Sequence, residues 1–189
     1  MVQLNPDPTL LAAQQLLAAA QFASEKHARQ KRKGAEGAPY INHLLEVASL
    51  VAQAIDQPDT NLIMAALLHD TVEDTATAPE ELLSRFGPDV AHLVAEVTDD
   101  KSLPKQERKR LQEEHAPHKS PRAQTLKLAD KISNLRGILY SPPADWDYAR
   151  KKEYFAWAKR VVDGFAVPNP RLKAEFEKTL SKFDGVVRP

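Results

Sequence analysis

Eleven residues, Met64-Ala65-Ala66-Leu67-Leu68-His69-Asp70-Thr71-Val72-Glu73-Asp74, carry an apolar run into a cluster of titratable side chains. His69 and Glu73 are four apart, as are Asp70 and Asp74, so an unbroken helix would set all of them on one stripe. Burying an imidazole with three carboxyls costs on the order of several kcal/mol unless something compensates them, and a divalent cation is the usual compensation. A His-Asp pair with further bases one turn later points to a metal site that holds and activates water. Additional ligands must come from elsewhere in the chain. His43 sits at the first turn of a second predicted helix, where a lone His is either structural or a ligand, and Asp130 interrupts an apolar helical pattern. An Asp in that setting is either salt-bridged, for instance to Lys127 or Lys131, or a ligand. Together His43, His69, Asp70 and Asp130 offer a His2Asp2 set from three predicted helices. Such a sulfur-free set suits Mn²⁺ or Fe²⁺ and permits Zn²⁺, with two octahedral positions left for water and a substrate oxygen.

The elements that must position these residues read as helices throughout. Leu10 to about His27 forms the first, with Ala13, Leu16, Leu17, Ala20 and Ser24 expected on its buried face. A basic run from Lys26 to Lys33 passes into a loop marked by Gly34, Gly37 and Pro39. The second helix begins at Asn42 and presents Leu44, Val47, Ala48, Val51 and Ala54. Asp59 or Thr60 caps the third, whose apolar stretch Leu62–Leu68 is expected to be enclosed on all sides. Thr77-Ala78-Pro79-Glu80 reads as a capping box opening a short helix that stops at Gly87. Pro88 starts the next, with Val90, Leu93, Val94 and Val97 inward. Pro104 to Ala116 is so charged that a solvated outer face is expected. Ser120-Pro121 caps the Asp130 helix, Trp146 to Ala166 forms an aromatic-rich one, and Asn169-Pro170 caps a final strut with Leu172, Phe176, Leu180 and Phe183 on one side.

Composition bounds the class. A chain of 189 residues with 42% hydrophobic and 28% charged residues suits one soluble all-α domain, and only 6 Gly and few β-branched runs favour helix. The formal charge of zero gives no global electrostatic case for nucleic acid or an anionic membrane as partner. The absence of cysteine excludes thiolate metal sites and favours a reducing compartment, so a cytoplasmic location is expected. No signal peptide and no bilayer-spanning stretch is read from the sequence. Charge is unevenly placed: between Asp70 and Asp100 nine acidic residues face one Arg or Lys, Arg85.

These residues resemble the H…HD…D signature of the HD-domain metal phosphohydrolases. The likeness is closest to the alarmone (p)ppGpp hydrolases of the RelA/SpoT group, in their small single-domain metazoan SpoT-homologue type. The segments carrying it are Arg32-Lys33, Pro39-Tyr40-Ile41-Asn42-His43, Ala65–Thr75 with its HD-x-x-ED, Val97–Lys105, Lys127-Leu128-Ala129-Asp130-Lys131 and Asn134-Leu135-Arg136. Leu44 stands where such relatives usually have proline. The resemblance covers about residues 10–165 and implies a single HD-domain bundle of roughly eight to ten helices over 1–189, with a C-terminal docking helix at about 170–183 and no nucleotidyl-synthetase domain.

The resemblance further implies that His43, His69, Asp70 and Asp130 bind Mn²⁺, with Zn²⁺ or Fe²⁺ as alternatives. Glu73 and Asp74 would orient and deprotonate the attacking water, neither being singled out as the base. Arg32, Lys33 and Tyr40 would border the nucleotide, Asn134 would contact the nucleoside, and Tyr154 would pack against it. Lys101, Lys105 and Arg150 are further phosphate candidates. The reaction implied is attack on the phosphorus attached to the ribose 3′-oxygen of ppGpp or pppGpp. It releases pyrophosphate, leaves GDP or GTP, and ends a stringent-response signal. The acidic stretch would repel such a substrate, so the Lys26–Lys33 cluster and the metal are expected to supply the positive field. The protein is expected to act on a small nucleotide as a monomer or homodimer. Two other readings are a phosphatase acting on another nucleotide, such as the 2′-phosphate of NADPH, and a non-catalytic nucleotide-sensing or nucleic-acid-binding module.

Overall fold

The computed structural model describes residues 7–34 and 37–186. Ala35 and Glu36 of the expected loop lie outside the described residues. Among the described residues all regular elements are helical: α1 (Pro8–Lys26), α2 (Ile41–Ala54), α3 (Thr60–Leu68), α4 (Thr71–Asp74), α5 (Pro79–Val97), α6 (Lys105–His115), α7 (Pro121–Tyr140), α8 (Tyr148–Asp163), α9 (Pro170–Leu180) and α10 (Phe183–Val186), with a 3₁₀ turn at Ala116–His118. An isolated bridge pairs Lys31 with Pro39. No described helix is long and apolar enough to cross a membrane.

Helix α3 is the centre of the bundle, packed by α1, α2, α5 and α7. Its residues Leu62, Met64, Ala65, Ala66, Leu67 and Leu68 are buried around the circumference, as the apolar run requires. The Asp59 side chain accepts from Leu62 N at 3.0 Å and so starts it. Helix α7 is the second long strut, lying against α2, α5, α8 and α9 and capped by Ser120, whose Oγ accepts from Ala123 N at 3.2 Å. Asn169 caps α9 through Arg171 N and Leu172 N. The expected inward faces of α2, of α5 after its kink and of α7 are all buried, and Leu44 is fully enclosed.

Several local expectations are corrected. The buried face of α1 is Ala19, Phe22 and Ala23, whereas Leu17 is 71% exposed. Leu17 falls on the side shared by the exposed Gln14, Gln21 and Glu25, and Phe22 anchors the inward side by packing on Phe86 at 5.3 Å. The helix bearing the HD pair does not run through to Asp74. It stops at Leu68, turns at His69-Asp70, and resumes as α4. Side chains cause the stop: His69 Nδ1 lies 2.8 Å from the Ala66 carbonyl, and Thr71 Oγ1 donates to the Leu68 carbonyl at 2.6 Å. The capping box is not formed either. Thr77 is buried and bonds Thr75 Oγ1 at 2.7 Å, and α5 begins at Pro79, which has no N–H to satisfy. By contrast, the helix end expected at Gly87 and the new start at Pro88 are both present: Gly87 at φ 84° breaks the helical backbone, so α5 is two arms meeting at a kink.

Candidate metal centre and nucleotide cleft

His43 arrives from the first turn of α2, His69 and Asp70 from the α3–α4 turn, and Asp130 from the middle of α7. Their donor atoms converge. His43 Nε2 is 3.5 Å from Asp70 Oδ2 and 3.4 Å from Asp130 Oδ1, while His69 Nε2 is 3.2 Å and 3.9 Å from the same two oxygens. Donors bound at about 2.1 Å to one ion stand roughly 3 Å apart when adjacent and about 4 Å when opposed. The His43, His69 and Asp130 atoms all lie within 4.8 Å of one another, and all three residues are buried. This group suits a divalent metal.

The tautomers agree with that assignment. Ser133 Oγ gives its proton to Glu46 Oε2 at 2.6 Å, so at 2.8 Å it accepts from His43 Nδ1–H. His69 Nδ1–H donates to the Ala66 carbonyl. In its neutral form each imidazole therefore turns the Nε2 lone pair toward the carboxylates, the outer arrangement that metal-binding histidines use. His69 Nε2 is buried and has no hydrogen-bond partner, although Asp70 Oδ2 stands 3.2 Å away. Electrostatics reinforce the point. Burial opposes charge on His69, yet Asp70 and Asp130 outweigh it and push the imidazole up to about 9. Burial also works against both carboxylates, but the imidazoles, joined at Asp130 by Lys131, hold them well below the usual range. A cation here would take over the compensation that a proton on His69 otherwise provides.

The cluster lies in a cleft of about 1120 Å³. Residues Lys127, Asp130, Asn134, Gly137 and Ile138 of α7 line it at helical spacing, which makes one face of that helix its floor, and Ser141 just past its end continues it. Tyr40 OH donates to Asp70 Oδ2 at 2.6 Å, and burial followed by Asp70 raises the phenol far above its ordinary value, so it remains a donor. Arg32 Nη2 donates to Asn134 Oδ1 at 3.1 Å, and Asn134 Nδ2 donates to Asp130 Oδ1 at 2.5 Å. The loop that places Arg32 and Tyr40 is tied by Arg32 N to the Ala38 carbonyl at 2.8 Å and Tyr40 N to the Gln30 carbonyl at 3.0 Å. A Cβ at Gly34 would strike Ser141, so this close approach requires glycine.

Glu73 and Asp74 face the same cleft from α4. Glu73 Oε2 accepts from Asp99 N at 3.1 Å, and burial pushes its carboxyl up. Asp74 Oδ2 accepts from Gln30 Nε2 at 3.0 Å, and its other oxygen meets Lys101. Lys33 and Lys105 also line the cleft, and Tyr154 reaches it from α8 between Trp146 and Trp157. Arg150 is not among the lining residues. It stacks on Trp146 at 4.5 Å and pairs with Asp145 at 3.3 Å, which places it behind the rim.

Two expectations about charge are corrected. Helix α6 is not simply a solvated face: Lys105, Arg108, Lys109 and Gln112 form a stripe along the cleft, and Arg108 lies 3.7 Å from Glu73. Charge on every side of the helix masks that i, i+3, i+4, i+7 spacing in the sequence. The nine-acid stretch is not a uniform repulsive field, because Glu81 pairs with Lys26 at 2.7 Å and Asp89 with Arg122 at 2.8 Å. Lys26 is thereby withdrawn from the basic cluster. Residues that sequence reasoning missed include Gln30, Ser133, Glu46 and Gln112, uncharged or distant groups with no spacing signal. Lys131 was weighed only as an ion-pair partner. Its Nζ is 3.7 Å from Asp130 Oδ2, donates to Gln112 Oε1 at 2.8 Å and rests 4.2 Å over Trp157, and burial brings it down to about 8.

Residues 19–156 match the model of the HD domain family. The chain is 52% identical over 162 residues, 86% of its length and 90% of the relative's, to the guanosine-3′,5′-bis(diphosphate) 3′-pyrophosphohydrolase MESH1 of Xenopus tropicalis. It is 52% identical to the human protein of that name over 174 residues, 92% of this chain and 97% of the relative. Among solved structures it resembles one described as a metazoan ortholog of SpoT that hydrolyzes ppGpp, with TM-score 0.86, 41% identity, and coverage of 96% of this chain and 98% of the other. The chain therefore belongs to the HD-domain family and, within it, to the small MESH1-type relatives of SpoT.

Proposed function

We propose that this chain, working as one HD domain across residues 1–189, is a metal-dependent 3′-pyrophosphohydrolase of guanosine 3′,5′-bis(diphosphate). The ligands are His43, His69, Asp70 and Asp130, and the metal is Mn²⁺. The observation that carries the reading is the convergence of two imidazole nitrogens and two carboxylate oxygens, spaced 3.2–3.9 Å between the two kinds, in a cleft whose other walls bear cations. The activity named for the MESH1 relatives supports the choice of substrate.

When bound, the cation lowers the pKa of a water and polarises a phosphoryl oxygen. The chain supplies the rest. Tyr40 and Asn134 hold Asp70 and Asp130 at fixed angles through their hydrogen bonds. Glu73 and Asp74 orient the water and receive its proton, and the upward push on Glu73 is the direction a base at neutral pH needs. Water oxygen bonds to the phosphorus on the ribose 3′-oxygen, the P–O3′ bond breaks, and the 3′-oxygen takes up a proton. Pyrophosphate departs and GDP remains. Arg32 stacks on the base, Asn134 meets the nucleoside and Tyr154 packs against it. Lys33, Lys101 and Lys105 balance the phosphates.

The test is pyrophosphate release from ppGpp by chelated protein, by the same protein with Mn²⁺ restored, and by Asp70→Ala with Mn²⁺. Release only in the second case is expected. No release in any case, or phosphate release from NADPH alone, would overturn the assignment.

A further inference from the structure

His27, just past the end of α1, is neither in the metal group nor among the residues lining the cleft, yet it is a polar ring only 2% exposed. Its Nε2 is buried with no hydrogen-bond partner. A phenylalanine of similar shape would avoid that unsatisfied atom, so the ring must supply something that a phenyl cannot. What it supplies is at its other nitrogen. Nδ1 lies 2.6 Å from Gln30 Oε1, and the far end of the same amide, Nε2, lies 3.0 Å from Asp74 Oδ2.

The chemistry of the three groups sets the direction of both bonds. A carboxylate can only accept, so the Gln30 NH2 must face Asp74. That leaves Oε1 toward His27, and the imidazole must carry its proton on Nδ1 to meet it. If His27 carried the proton on Nε2 instead, Nδ1 would set a lone pair against Oε1. The amide could relieve that only by turning its oxygen onto the Asp74 carboxylate. His27 thus selects the amide orientation, and the amide fixes one oxygen of Asp74 while Lys101 holds the other. The ring also stacks on Tyr40, with centroids 5.0 Å apart and planes 18° off parallel, directly behind the phenol that donates to Asp70.

We infer that His27, acting through Gln30, is a positioning residue for Asp74. It holds the carboxylate in the rotamer that orients water, without touching substrate or metal. The inference rests on the hydrolase reading above and extends it to a residue outside the cleft.

The experiment uses the full chain with Mn²⁺ and ppGpp, and compares wild type with His27→Phe, Gln30→Met and the double variant. His27→Phe retains a stacked ring and removes both nitrogens, of which only Nδ1 has a partner to lose. Each single variant should lose about 10–100-fold in kcat, the usual effect of cutting an outer hydrogen bond, with KM within about twofold of wild type. The double variant should be no worse than the poorer single one, because both cut the same link. His27→Asn, which restores a donor near the Nδ1 position, should recover part of the loss. Wild-type kcat in His27→Phe, or losses that multiply in the double variant, would overturn the inference. A second arm is independent of turnover: ¹⁵N NMR should show His27 protonated at Nδ1 and bare at Nε2, and the opposite tautomer overturns the relay. If wild type itself releases no pyrophosphate, the hydrolase reading falls on that measurement alone, while the NMR arm still judges the relay.

Discussion

Arg32 and Asn134, 102 residues apart in sequence, are joined by a 3.1 Å hydrogen bond from guanidinium to amide oxygen. The same amide reaches Asp130 Oδ1, so the group proposed to hold the base and a proposed metal ligand share one intermediary. Gly137 makes room for this bond: a Cβ there would stand 3.0 Å from Arg32 Nη2. Gly137→Ala therefore separates two effects that usually travel together. Inside α7 an alanine should stabilise the helix by about 0.5–1 kcal/mol relative to glycine. The displaced guanidinium should raise KM for ppGpp about tenfold, equivalent to about 1.4 kcal/mol of a charged hydrogen bond. Thermal melts and steady-state kinetics check both signs, and a KM equal to wild type would refute the role given to Arg32.

Charge reversal tests the cleft's field more broadly. Arg32 and Lys33 line the cleft, and Lys33 lies close enough to Lys105 to depress it after burial does. Replacing both with glutamate should raise KM for ppGpp far more than it lowers the melting temperature. Loop side chains at the cleft contribute little to the helical core, and the substrate carries several negative charges. The effect should shrink as salt is added, because screened charges attract less. An unchanged KM would remove these two residues from the nucleotide site.

The outer hydrogen bonds of His43 make a third test. Ser133 Oγ links His43 Nδ1 to Glu46, and Arg136 joins Glu46 at 2.8 Å to Glu175 of α9, also at 2.8 Å. Ser133→Ala leaves the ligand set intact but frees the ring to rotate and change tautomer. Mn²⁺ affinity should fall by about 10–100-fold. The rise in melting temperature on adding Mn²⁺ should shrink accordingly, since a ligand stabilises in proportion to RT ln(1 + [L]/Kd). Calorimetric titration of Mn²⁺ into both proteins decides it, and equal affinities would show that the Ser133 link does not tune the site.

Much of this was legible in the sequence because period and cap chemistry are local. The inward faces of α2 and α7 follow from apolar spacing, and the ends set by Asp59, Ser120 and Asn169 follow from side-chain caps. The grouping of His43, His69 and Asp130 was readable since an Asp inside the apolar pattern of α7 and a His-Asp pair ending an apolar run demand compensation. The break after Leu68 was not, because it depends on His69 and Thr71 side chains taking backbone carbonyls that a continuous helix would otherwise use. Nor was the inward stripe of α6, whose Arg108 is defined only by Glu73 on a distant element. Gln30 and Ser133 carry no charge and no periodic signal, and their parts emerge only when the histidines beside them need an assigned proton.

Proton competition at His69 gives a pH dependence of known sign. Without metal, the folded protein holds His69 at about 9 against an ordinary 6.5. The native state then binds the extra proton, so stability from this group is full below about 6.5 and is lost as pH rises through 9. Lys131 acts oppositely: its folded value of about 8 lies below the ordinary 10.5, so its contribution grows between those values. Chelated protein should thus lose stability from pH 6.5 to 8 and flatten between 8 and 9, where the two slopes oppose each other. A divalent cation must displace the His69 proton, so Mn²⁺ affinity should climb about tenfold per pH unit toward pH 9 instead of levelling near 6.5. Urea melts of chelated protein and Mn²⁺ titrations across this range measure the two trends separately. Chelated protein that gained stability from 6.5 to 8, or Mn²⁺ affinity flat over the same interval, would show that Asp70 and Asp130 do not hold a proton on His69 against burial.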